Sequence, residues 1–405
     1  MSNSTFSPEL VGRRTVHPFP ARMAASIPWE ILRSHKQQLR ILDPMAGSGT
    51  SLIVARGTGH LACGFDLDPL AVLITTVGTA NAELVKIQNA AQNSLSVAKR
   101  MDIPGRQAYP TSADEETKEF VRYWFDLEAR KQLTALSRAI ATIEDNATRK
   151  FLWCGLSRMI ITKDSGVSLA RDVSHSRPHK WFARAPVRPF DLFESAVDRV
   201  LKASLFQSSE SAPTASVRRG DARKLPIEAE SIDLVITSPP YLNAIDYMRG
   251  HKLSLVWLGH NIAALRQIRG ESVGAEAGYS EMDDEKITAI CKAMGHIDRL
   301  PTRFHRMITR YVRDMDAVIK EIARVLVRNG QALLVIGDCT VRGVYIRNSI
   351  AIRMLAEDHN LERLWQKRRK IPDRKRYLPL PPKNSDGALA KRLRTEVVMS
   401  FSKSG

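Results

Sequence analysis
Four short groups of residues carry types and spacings that could do chemistry. Ser238-Pro239-Pro240-Tyr241 follows the apolar run Ile232–Ile236. Two prolines lock the backbone and free carbonyls from any ladder. Such carbonyls can accept hydrogen bonds from an amino group, and Tyr241 offers a flat face on which a base can stack. Asp43-Pro44-Met45-Ala46-Gly47-Ser48-Gly49-Thr50 follows the apolar Leu39–Leu42. Glycines between a strand and a helix let a ligand approach the backbone, and the helix N-terminus presents free N–H groups. No Lys follows the glycines, which excludes a phosphate P-loop. Leu52 stands where a dinucleotide fingerprint needs its third glycine, which disfavours an oxidoreductase. Asp66, at the end of the next strand, can bond both hydroxyls of a ribose, while Asp68 before Pro69 reads equally well as a helix cap. Asp221 in Gly220-Asp221-Ala222-Arg223 ends a further strand candidate and can accept from an adenine amino group; read alone it is a turn residue.

The elements that must position these groups follow from the pattern. Leu39–Leu42, Ser51–Arg56, Leu61–Phe65 and a helix from about Pro69 alternate strand and helix. That order predicts an α/β fold with a mostly parallel sheet and helices on both faces. The pattern breaks from 81 to 216, which reads as a largely helical insertion with helices over Thr117–Ile143 and Arg149–Ile161. A polar, basic stretch, Lys163–Arg188, carries Arg171, His175, Arg177, His179, Lys180, Arg184 and Arg188, and Ser208–Ser216 reads as a linker. Sheet pattern returns at Val217. Arg303–Leu326 is a long helix closed by Asn329-Gly330, Gln331–Ile336 a strand, and Asn348–Glu357 a helix. Leu361–Trp365 and Val397–Phe401 are late strands around a basic, Pro-rich segment, Lys367–Lys383.

Composition narrows the partner. Sixty-one Lys and Arg face forty-three Asp and Glu in 405 residues, a net charge of +18. That sign and size suit a polyanion, because each neutralised phosphate releases counterions. Cys63, Cys154, Cys291 and Cys339 form no Cys-x-x-Cys pair, so neither a zinc site nor a disulfide framework is expected, and no metal. MSNSTFSPEL lacks the apolar core of a signal peptide, and no apolar run spans a bilayer. A cytoplasmic location is the expectation, without a membrane partner.

Together these motifs resemble the DNA methyltransferases that modify an exocyclic amino group, the cytosine-N4 and adenine-N6 family. Their cofactor motif is similar to Asp43–Thr50. Their catalytic motif, an Asp, Asn or Ser followed by Pro-Pro and an aromatic, is similar to Ser238–Tyr241. His17-Pro18-Phe19-Pro20-Ala21-Arg22-Met23 resembles the segment that in many members helps hold the methionine end of the cofactor, and Arg394–Val398 the last strand. The resemblance covers roughly 1–80 and 217–405. It implies a Rossmann-like methyltransferase fold in a discontinuous catalytic domain, 1–80 and 217–405; the position and charge of 81–216 point to a target-recognition region. It also implies S-adenosyl-L-methionine as cofactor, with His17, Pro18, Phe19, Asp43, Pro44, Ala46, Gly47, Ser48, Gly49, Thr50, Asp66 and Asp221 holding it.

Ser238, Pro239, Pro240 and Tyr241 would form the catalytic pocket. Double-stranded DNA would be the substrate, its base flipped out of the stack. Arg171, Arg177, Lys180, Lys367, Arg368, Arg369 and Lys370 would contact it, and a cognate restriction endonuclease would be the partner protein. Ser at 238 resembles the cytosine-N4 branch more than the adenine branch. Two departures stand out: Met45 replaces the usual aromatic, and the long insertion lies between the ribose acid and the adenine acid. Cofactor motif before catalytic motif excludes the circular arrangement in which catalysis comes first. Ring-carbon methylation needs a Cys after a Pro, whereas Ala62, Trp153, Ile290 and Asp338 precede the four cysteines. The competing readings are an RNA base-amino methyltransferase and a DNA-binding protein with a degenerate methyltransferase fold.

Overall fold
A computed structural model describes residues 11, 15–162, 165–172, 177–205, 213–242, 246–274, 282–371 and 395–404. The strands of the main sheet are β1 (Arg40–Asp43), β2 (Leu61–Asp66), β3 (Ser216–Arg219), β4 (Ile232–Thr237), β5 (Leu326–Ile336), β6 (Leu361–Lys370) and β7 (Thr395–Lys403). They lie in the order β3-β2-β1-β4-β5-β7-β6. The pairs from β3 to β5 are parallel, and β7 runs antiparallel between β5 and β6. This is an α/β, Rossmann-like sheet whose strand order reverses between β1 and β4. Ligands bind at such a switch point, outside the carboxyl ends of the strands.

Alternating residues of the strands face two cores. Ile41, Leu234, Ile236, Leu333 and Val335 pack with α1 (Ser26–Leu32) and α2 (Thr50–Gly57). Leu42, Val235, Leu334, Ile336 and Met399 face the other way, where α11 (Asp284–Met294), α12 (Thr302–Val325) and α13 (Asn348–Asp358) cover them. The period of two along each strand puts successive side chains on opposite faces, so near-continuous apolar runs mark a sheet buried on both sides.

The third core belongs to a helical layer. It joins α3 (Pro69–Gly78) to α4 (Leu84–Arg100), α5 (Glu115–Trp124), α6 (Leu127–Ala141), α7 (Asn146–Ile160) and α8 (Pro189–Leu205). Also in it are α9 (Met248–Leu255) and α10 (Ile262–Glu271), from a stretch that carried no sequence assignment. The insertion is helical as expected, but Thr117–Ile143 is not one helix. Phe125 is extended, and Asp126 caps α6 by accepting from Ala129 N at 2.8 Å. The same carboxylate accepts from Ala185 N at 2.7 Å and pairs with Arg188 at 2.9 Å. One Asp therefore both starts a helix and ties down the basic stretch, which overrides the helical period across it.

Two boundaries also move. Asn329 adopts φ +60° and lies within β5, which starts at Leu326 and is bulged between its pairings with Ile232 and Leu234. Lys367–Lys370, read as part of a basic loop, complete the edge strand β6 by pairing with 395–398. The remainder of that segment, 372–394, lies outside the described residues, as do Lys163, His175 and part of the Ser208–Ser216 linker. Among the described residues no helix is long and apolar enough to cross a membrane.

The tightest crossing in the helical layer is α7 on α8. A Cβ on Gly155 would lie 2.5 Å from Val197 Cγ2 and 3.1 Å from its Cα. Backbone cannot swing aside as a side-chain tip can, so Gly155→Ala must part the two helices. We expect a loss of about 1–3 kcal/mol in urea unfolding; an unchanged midpoint would mean the helices slide freely there.

Candidate active site at the switch point
The site is built on a buried carboxylate. Asp43 ends β1, and its Oδ1 accepts from Met45 N at 3.1 Å and Thr237 Oγ1 at 2.7 Å. Its Oδ2 accepts from the Ser51 hydroxyl of α2. Thr237 is the last residue of β4, so one side chain joins the glycine loop, the helix after it and the strand that delivers Ser238. Burial pushes the Asp43 carboxyl up to about 6 against these bonds.

The loop then turns sharply. Gly47 and Gly49 have φ +50° and +76°, and Gly49 N donates to Ala46 O at 2.7 Å. A Cβ on Gly49 would sit 2.8 Å from Thr75 Cγ2 of α3, so close packing as well as backbone conformation requires glycine there. Ser48 and Thr50 bond through their hydroxyls at 3.1 Å. Pro44 and Ala46 complete the turn, with Ala46 N donating to Phe65 O at 2.9 Å.

Asp66 lies beside this loop. Its Oδ2 accepts from Gly47 N at 2.8 Å and its Oδ1 from Asp68 N at 2.9 Å. One N–H per oxygen leaves lone pairs for further donors. Burial first, then the nearby Asp68 charge, raises this carboxyl to about 7. Asp68 caps α3 through Leu70 N at 2.8 Å and pairs with the buried His251 of α9. Burial alone would raise its carboxyl, but the His251 charge and hydrogen bond, together with the Leu70 and Ala71 N–H groups, hold it below its ordinary value. Asp221, further along the same sheet edge, is gripped by Arg223 at 2.7 Å. Arg223 is itself buried and bonds Asp314 of α12 at 2.9 Å. The adenine acid expected from sequence is thus a fixed carboxylate, both of whose oxygens accept from Arg223.

The N-terminal segment crosses over the loop. His17 is buried, its Nε2 2.8 Å from Ser157 Oγ of α7, and Ser254 of α9 donates to the same oxygen at 2.6 Å. Phe19, following Pro18, packs against Gly47 and stacks on Tyr247 at 5.2 Å between centroids.

Ser238 begins the motif expected from sequence to be catalytic. Its hydroxyl donates to Val335 O at 3.0 Å. With its hydrogen committed to a carbonyl, Oγ presents lone pairs to an incoming group. Pro239 is buried and Pro240 half-buried. The Tyr241 ring packs against the core under α12, and burial pushes its phenol up to about 12. It stays neutral in any working buffer.

The expected basic contacts separate. Arg171 lies over Trp181 at 5.3 Å and Lys180 over Tyr123 at 4.6 Å. Both rings are open to solvent, at 66% and 53%. Arg177 is exposed beside them. On β6, Lys367 lies over Trp365 at 5.2 Å, Arg368 faces Asp338 at 3.7 Å and Arg369 pairs with Glu396, while Lys370 is exposed. Two of those four cations therefore already have carboxylate partners. Sequence reasoning missed Thr237, Ser51, Arg223, Tyr247 and His251. Thr237 and Ser51 directly flank the motifs and Arg223 lies within one, so all three were within reach; Tyr247 and His251 come from a distant segment and leave no local pattern.

Because Asp43 and Asp66 titrate higher than their ordinary 3.8, their protonated forms favour the fold. That contribution is complete below about pH 4 and is lost as pH rises through about 6 and 7. Asp66→Asn has no charge to bury. Its stability relative to wild type should climb by about 1–4 kcal/mol between acid and mildly alkaline buffer, in urea titrations of the free protein. A pH-independent difference would mean Asp66 stays solvated.

No family model matches the chain. The type II methyltransferase M.MvaI of Kocuria varians is 23% identical over 419 residues, covering 95% of this chain and 89% of that protein. The type II methyltransferases M.AvaI of Nostoc sp. and Anabaena variabilis are each 24% identical over 378 residues, covering 80% of this chain and 74% of theirs. A solved SAM-dependent methyltransferase from Methanosarcina mazei overlaps 91% of this chain and 94% of its own, at 8% identity and a TM-score of 0.32. At that score the overlap adds nothing to the sheet order itself. The chain is thus similar along most of its length to type II methyltransferases, and the resemblance of its motifs to the amino-group DNA methyltransferases is matched by the way its own sheet brings those motifs together.

Proposed function
We propose that the chain is an S-adenosylmethionine-dependent DNA methyltransferase acting on an exocyclic amino group, N4 of cytosine in duplex DNA. The observation that carries the reading is the Ser238 hydroxyl. Donation to Val335 O makes its oxygen an acceptor, at the carboxyl end of a strand tied through Thr237 and Asp43 to the glycine loop.

The loop fits the cofactor. Its glycines leave backbone uncovered, and Asp66 retains lone pairs for ribose hydroxyls. Asp221 would take the adenine amino group, and Phe19, placed by His17, would close over the loop. When bound, the cofactor supplies an electrophilic methyl on a sulfonium. The protein's task is to free the lone pair of an amino nitrogen that is delocalised into its ring. Ser238 Oγ and the Pro239 carbonyl accept hydrogen bonds from its N–H groups and draw it toward a tetrahedral shape; the nitrogen sheds one proton to solvent after transfer. Holding the two reactants in line supplies much of the rate. The target base must leave the duplex to reach this pocket, and Tyr241 offers the neutral ring beside it. Arg171, Arg177 and Lys180, with the exposed Trp181 and Tyr123, suit contact with the strand, and a cognate restriction endonuclease fits the type II relatives.

Radiolabelled S-adenosylmethionine with duplex DNA or transfer RNA tests the substrate; label only in RNA would overturn the DNA reading. Mass spectrometry of digested DNA should show N4-methylcytosine, and N6-methyladenine alone would replace the base while keeping the site. Ser238→Ala should lower kcat about 10- to 1000-fold with little change in DNA affinity. Full activity in a Ser238→Ala, Tyr241→Ala variant would dismiss the pocket. Asp66→Ala should weaken cofactor binding in calorimetry without unfolding the chain, and equal affinity would remove Asp66 from the site.

A further inference from the structure
A cleft in the helical layer has the makeup of a phosphate site. It runs between α5, α9 and the basic hairpin in which Ala170–Arg171 pairs antiparallel with His179–Lys180, lined by Phe120, Trp124, Arg177, His179, Arg249 and Lys252. None of its cations on α9 belongs to the basic stretches visible in the sequence. Lys252 is half-buried, its ammonium over the Phe120 ring at 5.8 Å. Burial is the main cause that holds that ammonium below its ordinary pKa; Asp246 opposes it, and the positive charges of Arg269, Arg266 and Arg249 add to it. Asp246 is already divided between Arg249 at 3.1 Å and Arg269 at 2.9 Å, and Arg266 pairs with Glu116. Among the described residues no carboxylate forms an ion pair with Lys252.

A half-buried cation crowded by like charges is costly unless an anion completes the site. Arg177 on the facing wall adds a planar donor set suited to phosphate oxygens. The floor chooses the kind of anion. Phe120 and Trp124 offer ring faces that inorganic phosphate would leave bare but a sugar and base would cover. The location agrees: α9 starts just after Tyr247, whose ring stacks on Phe19 over the glycine loop.

We propose that the cleft holds a backbone phosphodiester of the substrate DNA between Arg177, Arg249 and Lys252, with the aromatic floor under the adjoining nucleoside. This rests on the DNA methyltransferase reading and names a contact that reading does not supply. The test uses the full chain and a labelled duplex, with anisotropy measured across a salt series. Arg177→Ala is exposed and leaves the fold alone; Lys252→Gln removes the buried charge. Each lost phosphate contact should flatten the slope of log affinity against log salt by about 0.9. The double variant should bind at least 10-fold more weakly at moderate salt and raise KM for DNA while kcat at saturation stays level. Calorimetry with S-adenosylmethionine should be unchanged, and Lys252→Arg should restore the slope. Inorganic phosphate should compete no better than its ionic strength alone. A double variant with wild-type slope and affinity overturns the cleft but leaves the function standing. Competition by phosphate beyond its ionic strength would make the cleft a free-anion site. A wild-type chain with no DNA affinity at all removes both.

Discussion
The Asp43 carboxylate is the constraint on which the rest of the site depends. It lies at the one point where the sheet reverses its order, and it satisfies a backbone N–H, a helix hydroxyl and a threonine on the neighbouring strand together. Those three donors come from the loop, α2 and β4. Losing the carboxylate would leave buried donors without partners and uncouple the glycine turn from the strand that ends in Ser238. Asp66 repeats the device one strand further out, through Gly47 N and Asp68 N. The loop is therefore bound from both sides by acids whose neutral forms the interior favours, and donors that gather at the site shift their titration.

The helical layer is secured to this centre by polar links rather than by a strand. His17 and Ser254 meet on Ser157, and Arg158 donates to the Thr15 and Val16 carbonyls at 2.9 Å. His251 reaches Asp68 at the start of α3. The N-terminal segment is thus held between the sheet edge and α7–α9, and Phe19 is set over the loop by groups far apart in the chain. A displacement of α9 would be felt at Phe19 through Tyr247 and at Asp68 through His251.

What was legible in the sequence was what is local. Asp43–Thr50 and Ser238–Tyr241 each sit where an apolar run meets turn residues, so strand end and motif announce each other. The strands over Ile232–Ile236, Gln331–Ile336 and Val397–Phe401 also follow from short apolar runs, whereas the reversed direction of the last one does not. Pairings across the chain were not legible. Arg223 with Asp314, His251 with Asp68, and Lys252 among the arginines of α10 depend on how helices dock, which no period encodes. The break at Asp126 was hidden because Leu127–Ala141 continues an amphipathic pattern, and only Ala185 and Arg188, from beyond α7, fix that carboxylate as a cap. The charge of Lys367–Arg369 was visible, but that Arg368 and Arg369 face Asp338 and Glu396 was not.

The shared third core bears on how the helical layer of such a chain could vary over time. Leu70, Leu73, Ile74 and Val77 of α3 are buried by the same cluster as Leu133, Phe151 and Val197, and as Trp257 and Leu265 from the far side of the catalytic motif. Transplanting 81–216 from another enzyme as a cassette would strip α3, a helix that packs on the glycine loop, of its covering. The insertion here is not a detachable cartridge. Drift by single substitutions on the outward surfaces of α5, α9 and the basic hairpin leaves that common interior intact, whereas recombination would have to carry the lining of α3 and the helices after Tyr241 along with the insertion.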